Sequence, residues 1–495
     1  MTDIMPYIYA DNAATTPLSP RALEAMTPYL TRSFGNPSGI HRMAREAAVA
    51  LGEARGTMAR LLGAEHDDEV YFTSGGSESD NWILRGAVRR FRDAYGERAV
   101  PHIVTSAIEH HAILHCCQAL EAEGVRVTYL PVDAQGRVHP SELERALEEH
   151  DAREAAAGTN APAALVSIML ANNEVGTIEP VRELAAIAHT HGAPFHTDAV
   201  QAVGHIPVDV RKLDVDALSL SGHKFHGPRG IGALYLREGF SIPPLIAGGA
   251  QERGERAGTE NLAGIVGMAT ALEEACEHLA ADMTRISTLR DALIDHLLEH
   301  VDGIRLTGAP ISAGLDGRLP SIASFTCDDV DGELLVVLLD RAGVAAATGS
   351  ACSTGSTEPS HVLTAMGIDA TTAHGALRLS LASNVTDEDI ALLSERIRSD
   401  FKRAIDKATK RIRWDYKSAV PIYYPAYNLL SLMIPLCLNS DNIADVALLV
   451  EKTESGNYLG HTILTLPMAY LDARLLCRPS SDWLRPNLIS TGESN

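Results

Sequence analysis

The chain has 495 residues, of which 45% are apolar and 21% charged, the make-up of a globular protein with room for several domains. Its formal net charge of −22 argues against nucleic acid or an anionic membrane surface as a general partner. Seven scattered cysteines without a Cys-x-x-Cys pair offer neither a disulfide framework nor a metal site, and no apolar run reaches signal or transmembrane length, so the expectation is a cytoplasmic protein.

Residues 7–12 read as a short strand entering a turn. Ser19 as N-cap and Pro20 behind it predict a first helix over 17–30, and an alanine-rich helical period spans 41–62. Residues 69–73 predict a strand that breaks into Ser74-Gly75-Gly76-Ser77-Glu78-Ser79, with a helix following through 88. A strand, a glycine-rich turn and a helix start is where phosphates are held, because free N–H groups and the helix dipole face the anion. Alternation then continues, with strands at 102–106, 125–130, 164–170, 194–198 and 216–220 and helices at 112–123, 140–149 and 181–191; residues 151–160 read as a polar loop. This pattern implies a mainly parallel sheet covered on both faces, with ligands at the carboxyl ends of its strands.

Those ends carry Ser74 to Ser77, Glu109 to His111, Asn172 to Glu174, Asp198 to Gln201, and Ser221-Gly222-His223-Lys224. Lys224 lies in a small-residue turn before a second strand at 231–236, where partial burial would make its amine a usable nucleophile. Asp198 is a strand-end carboxylate in need of a cation, His110 can stack and move a proton, and Gly76, Ser77, Ser221 and His223 can hold a phosphate. Each residue alone is more often structural. The ordered set suits pyridoxal phosphate (PLP), with lysine holding the aldehyde and aspartate keeping the ring nitrogen protonated.

Beyond the sheet, Gly248 to Thr259 is a glycine- and arginine-rich loop, and one long amphipathic helix spans about 261–300. A second alternation follows, with strands at 321–326, 344–347 and 376–381 and helices at 331–342 and from 386 to about 405. Cys352 sits among Gly349, Ser350, Ser353, Thr354, Gly355 and Ser356, small polar neighbours that suit a mobile loop. After about residue 405 the composition changes, and the last 90 residues hold six of the 13 tyrosines and two of the three tryptophans.

Residues 7–400 resemble the cysteine desulfurases of the NifS/IscS type. The matching stretches are Tyr9 to Pro17, Gly35 to Ser38, Thr73 to Ser79, Glu109 to His111, Asn172 to Gly176, Asp198 to Gln201, Ser221 to Lys224, Arg253 to Thr259 and Gly349 to Cys352. The resemblance implies an α/β fold-type I PLP-dependent transferase with a large, mainly parallel seven-stranded sheet and a smaller α/β domain. Its divisions would be residues 1–20 joining the small domain, 21–262 binding PLP, 263–405 carrying the Cys352 loop, and 406–495 appended. It implies that Lys224 bonds the cofactor, Asp198 pairs with the ring nitrogen, Gln201 bonds the ring hydroxyl, and Asn173 lies beside them. His110 would stack on the ring and act in proton transfer. Gly76, Ser77, Ser221 and His223 would hold the phosphate, joined by Thr259 across a homodimer interface. Arg378 would clamp the substrate carboxylate, with Asn36 on the substrate side. Cys352 would take sulfur from L-cysteine as a persulfide, leave L-alanine, and pass the sulfur to an acceptor protein for iron–sulfur clusters or thiolation. A selenocysteine lyase, another class V aminotransferase relative, and a silent scaffold whose tail binds a partner are the alternatives. The tail vaguely resembles the end of an uncharacterised bacterial domain, and its readings are a structural addition or a docking module for the sulfur acceptor.

Overall fold

In the computed structural model the described residues are 7–328, 330–349, 359–398, 420–424, 429–436, 446–452 and 458–465. Strand β1 (Ile8–Tyr9) leads into helices α1 (Pro20–Thr31) and α2 (Arg42–Leu62). Ser19 caps α1 by accepting the Ala22 N–H, with Pro20 at the first position. Then come β2 (Val70–Thr73), α3 (Gly76–Tyr95), β3 (His102–Ser106), α4 (His111–Ala122), β4 (Arg126–Leu130), α5 (Pro140–Ala156), β5 (Leu165–Ser167), α6 (Val181–Thr190), β6 (Phe195–Asp198), α7 (Val210–Leu213), β7 (Ala217–Ser221) and β8 (Gly232–Leu236).

These strands form one seven-stranded sheet in the order β2-β8-β7-β6-β5-β3-β4. Strands β7, β6, β5, β3 and β4 pair in parallel, and β8 is antiparallel to both its neighbours. The inner strands are buried on both faces, as helix-covered parallel strands must be, and Val104, Val166, Phe195, Leu218 and Leu220 are fully buried in the main core.

Helix α8 (Leu262–His300) runs as one unbroken element out of this core into a second. Its first half contributes Ile265, Met268 and Leu272 to the main core, and its second half contributes Leu289, Leu293 and Leu297 to the other. The second core gathers around an antiparallel sheet of β9 (Ile304–Leu306), β10 (Ile322–Cys327) and β12 (Ala376–Ser380), in the order β12-β10-β9. Between these strands lie α9 (Gly314–Gly317), α10 (Gly332–Arg341), β11 (Val344–Ala345), α11 (His361–Ala365) and α12 (Ala370–Ala373). Strand β1 pairs in parallel with β11, so Ile8 and Ala10 are buried in this second core. Residues 387–398 are helical.

The last described strands, β13 (Val420–Tyr424), β14 (Leu429–Leu436), β15 (Val446–Lys452) and β16 (Tyr458–Thr465), form a separate four-stranded antiparallel sheet in sequence order. Strand β16 lies alongside α10. Among the described residues no helix is long and apolar enough to cross a membrane.

Three local expectations are corrected. Helix α5 continues to Ala156 through the stretch read as a loop, because Ala152, Ala155 and Ala156 are strong helix formers. Helix α3 begins at Gly76 itself and runs to Tyr95. The strand expected over 164–170 stops at Ser167, and the chain beyond it delivers Met169, Ala171 and Asn173 to a cavity.

Candidate active site

The parallel strands end around one cavity of about 430 Å³. One end of it is built by the turn from β2 into α3. Gly75 sits at φ 154°, and the 20-residue helix starts at Gly76 with no side chain capping it. Its first N–H groups are therefore open to the cavity. A Cβ on Gly76 would fall 2.7 Å from Val200 Cγ2, so glycine is what lets the helix end come this close. Ser77, Ser221 and His223 line the same end, with the His223 Nδ1 in a 3.1 Å hydrogen bond with Thr15 Oγ1.

Asp198 ends β6 and is 5% exposed. Its Oδ1 accepts the Val200 N–H at 2.9 Å. Burial pushes its carboxyl up to about 6, against the pull of that bond and of Lys224. A buried carboxylate of this kind calls for a cation in front of it. Lys224 follows β7, is half-buried, and donates from Nζ to the carbonyls of Ala13 at 2.5 Å and Ala14 at 3.0 Å. Gln201 Nε2 donates to the same Ala13 carbonyl at 2.9 Å.

His110 caps α4: its Nδ1 accepts the Ala112 N–H at 3.2 Å. Burial, and then the neighbouring Lys224, hold it down at about 4, so the ring is neutral at pH 7. With Nδ1 accepting, the ring proton sits on Nε2.

Arg378 comes from the middle of β12 and is 2% exposed. It donates from Nη1 to the Asn173 carbonyl at 2.8 Å and from Nη2 to Asp11 Oδ1 at 2.7 Å, and its buried Nε has no partner. Arg378 lines the same cavity as the sheet residues.

Ten of the expected residues thus meet at one cavity: Gly76, Ser77, His110, Asn173, Asp198, Gln201, Ser221, His223, Lys224 and Arg378. Thr259 lines a smaller neighbouring cavity with Ser74, Arg256 and Glu252. Asn36 stands in an exposed loop and is not among the lining residues. Cys352 lies outside the described residues, as do Cys437 and Cys477. The sequence reading did not single out Asp80, Asp11 or the Ala13 and Ala14 carbonyls. Asp80 stands one helical turn beyond Gly76, and that i,i+4 spacing was the available signal.

Residues 8–393 match the family described as Aminotransferase class-V. An IscS cysteine desulfurase of Methanosarcina thermophila is 48% identical over 383 residues, covering 77% of this chain and 89% of the relative. The NifS cysteine desulfurase of Azotobacter vinelandii is 43% identical over 383 residues, covering 77% and 90%. The chain belongs to the cysteine desulfurases of the class V aminotransferase family. A solved NifS-like protein superposes with a TM-score of 0.71 at 37% identity, over 80% of this chain and all of that one. Residues 370–483 of this desulfurase also match a domain of unknown function, DUF3825.

The family's cofactor is PLP, and the residues present fit it. The open N-terminus of α3 suits its phosphate, the buried Asp198 suits its ring nitrogen, and the Lys224 amine stands in the same cavity.

Proposed function

We propose that this desulfurase takes sulfur from L-cysteine onto Cys352 and hands it to an acceptor protein, leaving L-alanine. The observation that carries this reading is the convergence of Lys224, Asp198, His110, the uncapped α3 N-terminus and Arg378 on one cavity. PLP bound there supplies the electron sink that weakens the substrate's Cβ–S bond. Gly76, Ser77, Ser221 and His223 would hold the phosphate, Gln201 the ring hydroxyl, and Asp198 the ring nitrogen.

Arg378 would take the substrate's carboxylate, where its unpartnered Nε gives it donor capacity beyond Asn173 and Asp11. The Cys352 thiolate attacks the substrate sulfur. An S–S bond forms as the Cβ–S bond breaks, the bonding pair stays on the carbon side, and Cβ takes a proton to become the alanine methyl. His110, neutral and protonated at Nε2, is placed to move protons at the reacting carbons.

The choice of thiol has physical support. Cys116, Cys117 and Cys327 are buried and free, and burial pushes all three thiols well up, Cys116 to about 11 and Cys327 to about 12. Cys352 follows three residues after Gly349, whose Cβ position lies 2.8 Å from Glu174 Oε2, and the other flank of the stretch, Ser360, bonds the same carboxylate at 2.6 Å. Both described flanks of that stretch thus meet Glu174, next in sequence to the cavity residue Asn173.

A homodimer in the cytoplasm completes the reading, with Thr259 turned to the partner's phosphate site and the acceptor serving iron–sulfur cluster assembly or thiolation. The test is alanine and persulfide formation from L-cysteine by the full chain and by Cys352→Ser. The variant should keep the visible cofactor absorbance and form no protein persulfide. A persulfide on Cys327 or Cys116 in that variant would move the nucleophile elsewhere.

A further inference from the structure

Beneath Asp198 lies a second buried carboxyl that the mechanism does not use. Asp80, on the first turns of α3, is 1% exposed and lines the cavity. A carboxylate oxygen of Asp80, one of Asp198 and a ring nitrogen of His110 lie within 4.8 Å of one another. Asp80 Oδ1 is buried with no hydrogen-bond partner. Two ionised carboxylates cannot share such a place, because each forfeits its hydration and repels the other.

Behind Asp80 a polar row crosses three adjacent strands of the sheet. Ser167 Oγ on β5 meets His196 Nδ1 on β6 at 2.9 Å, and His196 Nε2 meets Ser219 Oγ on β7 at 2.9 Å. The Ser219 hydroxyl also faces the Asp80 carboxyl, and His196 Nε2 is 4.0 Å from Asp80 Oδ1. Ser167, His196 and Ser219 are fully buried. Three polar side chains buried in a sheet cost several kcal/mol unless they satisfy one another, so this bonded row is held in place against the Asp80 carboxyl at its end.

We propose that Asp80 is a positioning residue for Asp198, acting as a hydrogen-bond donor at the end of this row. The proposal rests on the reading that Asp198 faces the PLP ring nitrogen. Asp80 keeps its proton, since burial first and the neighbouring Asp198 second push its carboxyl well up. Burial holds His196 down at about 3, so the row brings no cation that would ionise Asp80. The other charged or titratable groups facing the pair are Glu109, itself pushed up to about 8 by burial, neutral His110, and Lys224 on the Asp198 side. Of the two carboxyls, Asp198 is then the one that carries the charge, and it is aimed at the ring.

The test uses the full chain stripped of cofactor and retitrated with PLP between pH 6.5 and 8.5, following quenching of tryptophan fluorescence and the visible absorbance. Asp80→Asn keeps the shape and a donor, and should bind PLP within threefold of wild type at every pH with an unshifted absorbance. Asp80→Ala removes the donor and should weaken binding tenfold or more. An Asn variant as weak as the Ala variant, or an Ala variant within threefold of wild type, overturns the proposal. Asp198→Ala separates the two readings: if it leaves PLP binding unchanged, the assignment of Asp198 to the ring is what fails.

Discussion

Glu109 offers a direct measurement of what burial does at this site. Its side chain is fully buried next to His110. Oε1 accepts the Ser106 hydroxyl at 2.6 Å and the Met169 N–H at 3.0 Å, while Oε2 is buried without a partner. Burial outweighs both bonds and pushes the carboxyl up to about 8. An unfolded glutamate ionises near 4.3, so the folded chain holds a proton that the unfolded chain gives up. The stability this provides is fully present below about pH 4.3 and is lost as the pH rises through about 8. At about 1.4 kcal/mol per pH unit, with the slope fading near 8, the loss between pH 6 and 8 is about 2 kcal/mol. Glu109→Gln cannot titrate and should gain that amount relative to wild type across the window. Urea unfolding of the cofactor-free proteins at pH 6, 7 and 8 reads the difference, with the buried Trp82 reporting on the large sheet. The other titrating groups are common to both proteins and cancel in the comparison. Parallel stability curves would show that Glu109 ionises like a solvated carboxyl and would refute the argument.

Arg378→Lys keeps the charge and loses the fork, so the KM for L-cysteine should rise by about tenfold to a hundredfold, the weight of one charge-assisted bond, with a smaller change in kcat; an unchanged KM would remove Arg378 from substrate binding. Gly76→Ala drives a methyl into Val200 Cγ2 at 2.7 Å, so PLP affinity should fall about tenfold and recover when Val200→Ala is added; failure of the double variant to recover would mean that the helix end is not held open by that contact. Arg55 and Glu252 form a buried pair at 2.7 Å, and Glu252 also accepts the Phe72 N–H at 3.0 Å, pinning the loop that leads to Arg256 and Thr259. Arg55→Met strands the carboxylate and should cost about 3 to 5 kcal/mol in urea unfolding, part of it returned by adding Glu252→Gln.

The strand-end residues were legible because chemistry and topology point to the same places. Lys224, Asp198, His110 and the Gly75-Gly76 turn each lie at or within a few residues of a strand end, and ends of parallel strands converge by construction. Helix α8 was legible from its apolar period over 39 residues. Strand β9 was not, since three residues carry no periodicity and only pairing with β10 makes them a strand. The site partners that escaped are those defined by tertiary contact. Asp11 matters through a guanidinium 367 residues away, and Asp80 through carboxyl and imidazole groups brought in by β6 and α4. No local pattern distinguishes such residues from an ordinary turn aspartate or helix aspartate.

The cavity belongs to neither core alone. The sheet side supplies the α3 N-terminus, Asp198 and Lys224, while Arg378 sits on the central part of a strand whose neighbours Leu377 and Leu379 are buried in the second core. Asp11 is bridged to Ser380 on that same strand, yet two residues later the chain offers Ala13 and Ala14 to Lys224 on the sheet side. The N-terminal segment therefore spans the junction and touches both the amine and the guanidinium. Arg378 is held to the sheet side by the Asn173 carbonyl and to the N-terminal segment by Asp11, so its donors are fixed before any substrate arrives. A guanidinium fixed in this way loses little freedom on taking a carboxylate, and binding energy goes into orienting the reacting bond. If Arg378 takes the substrate carboxylate as proposed, the segment that carries Asp11, Ala13 and Ala14 is the one in contact with both that guanidinium and the Lys224 amine.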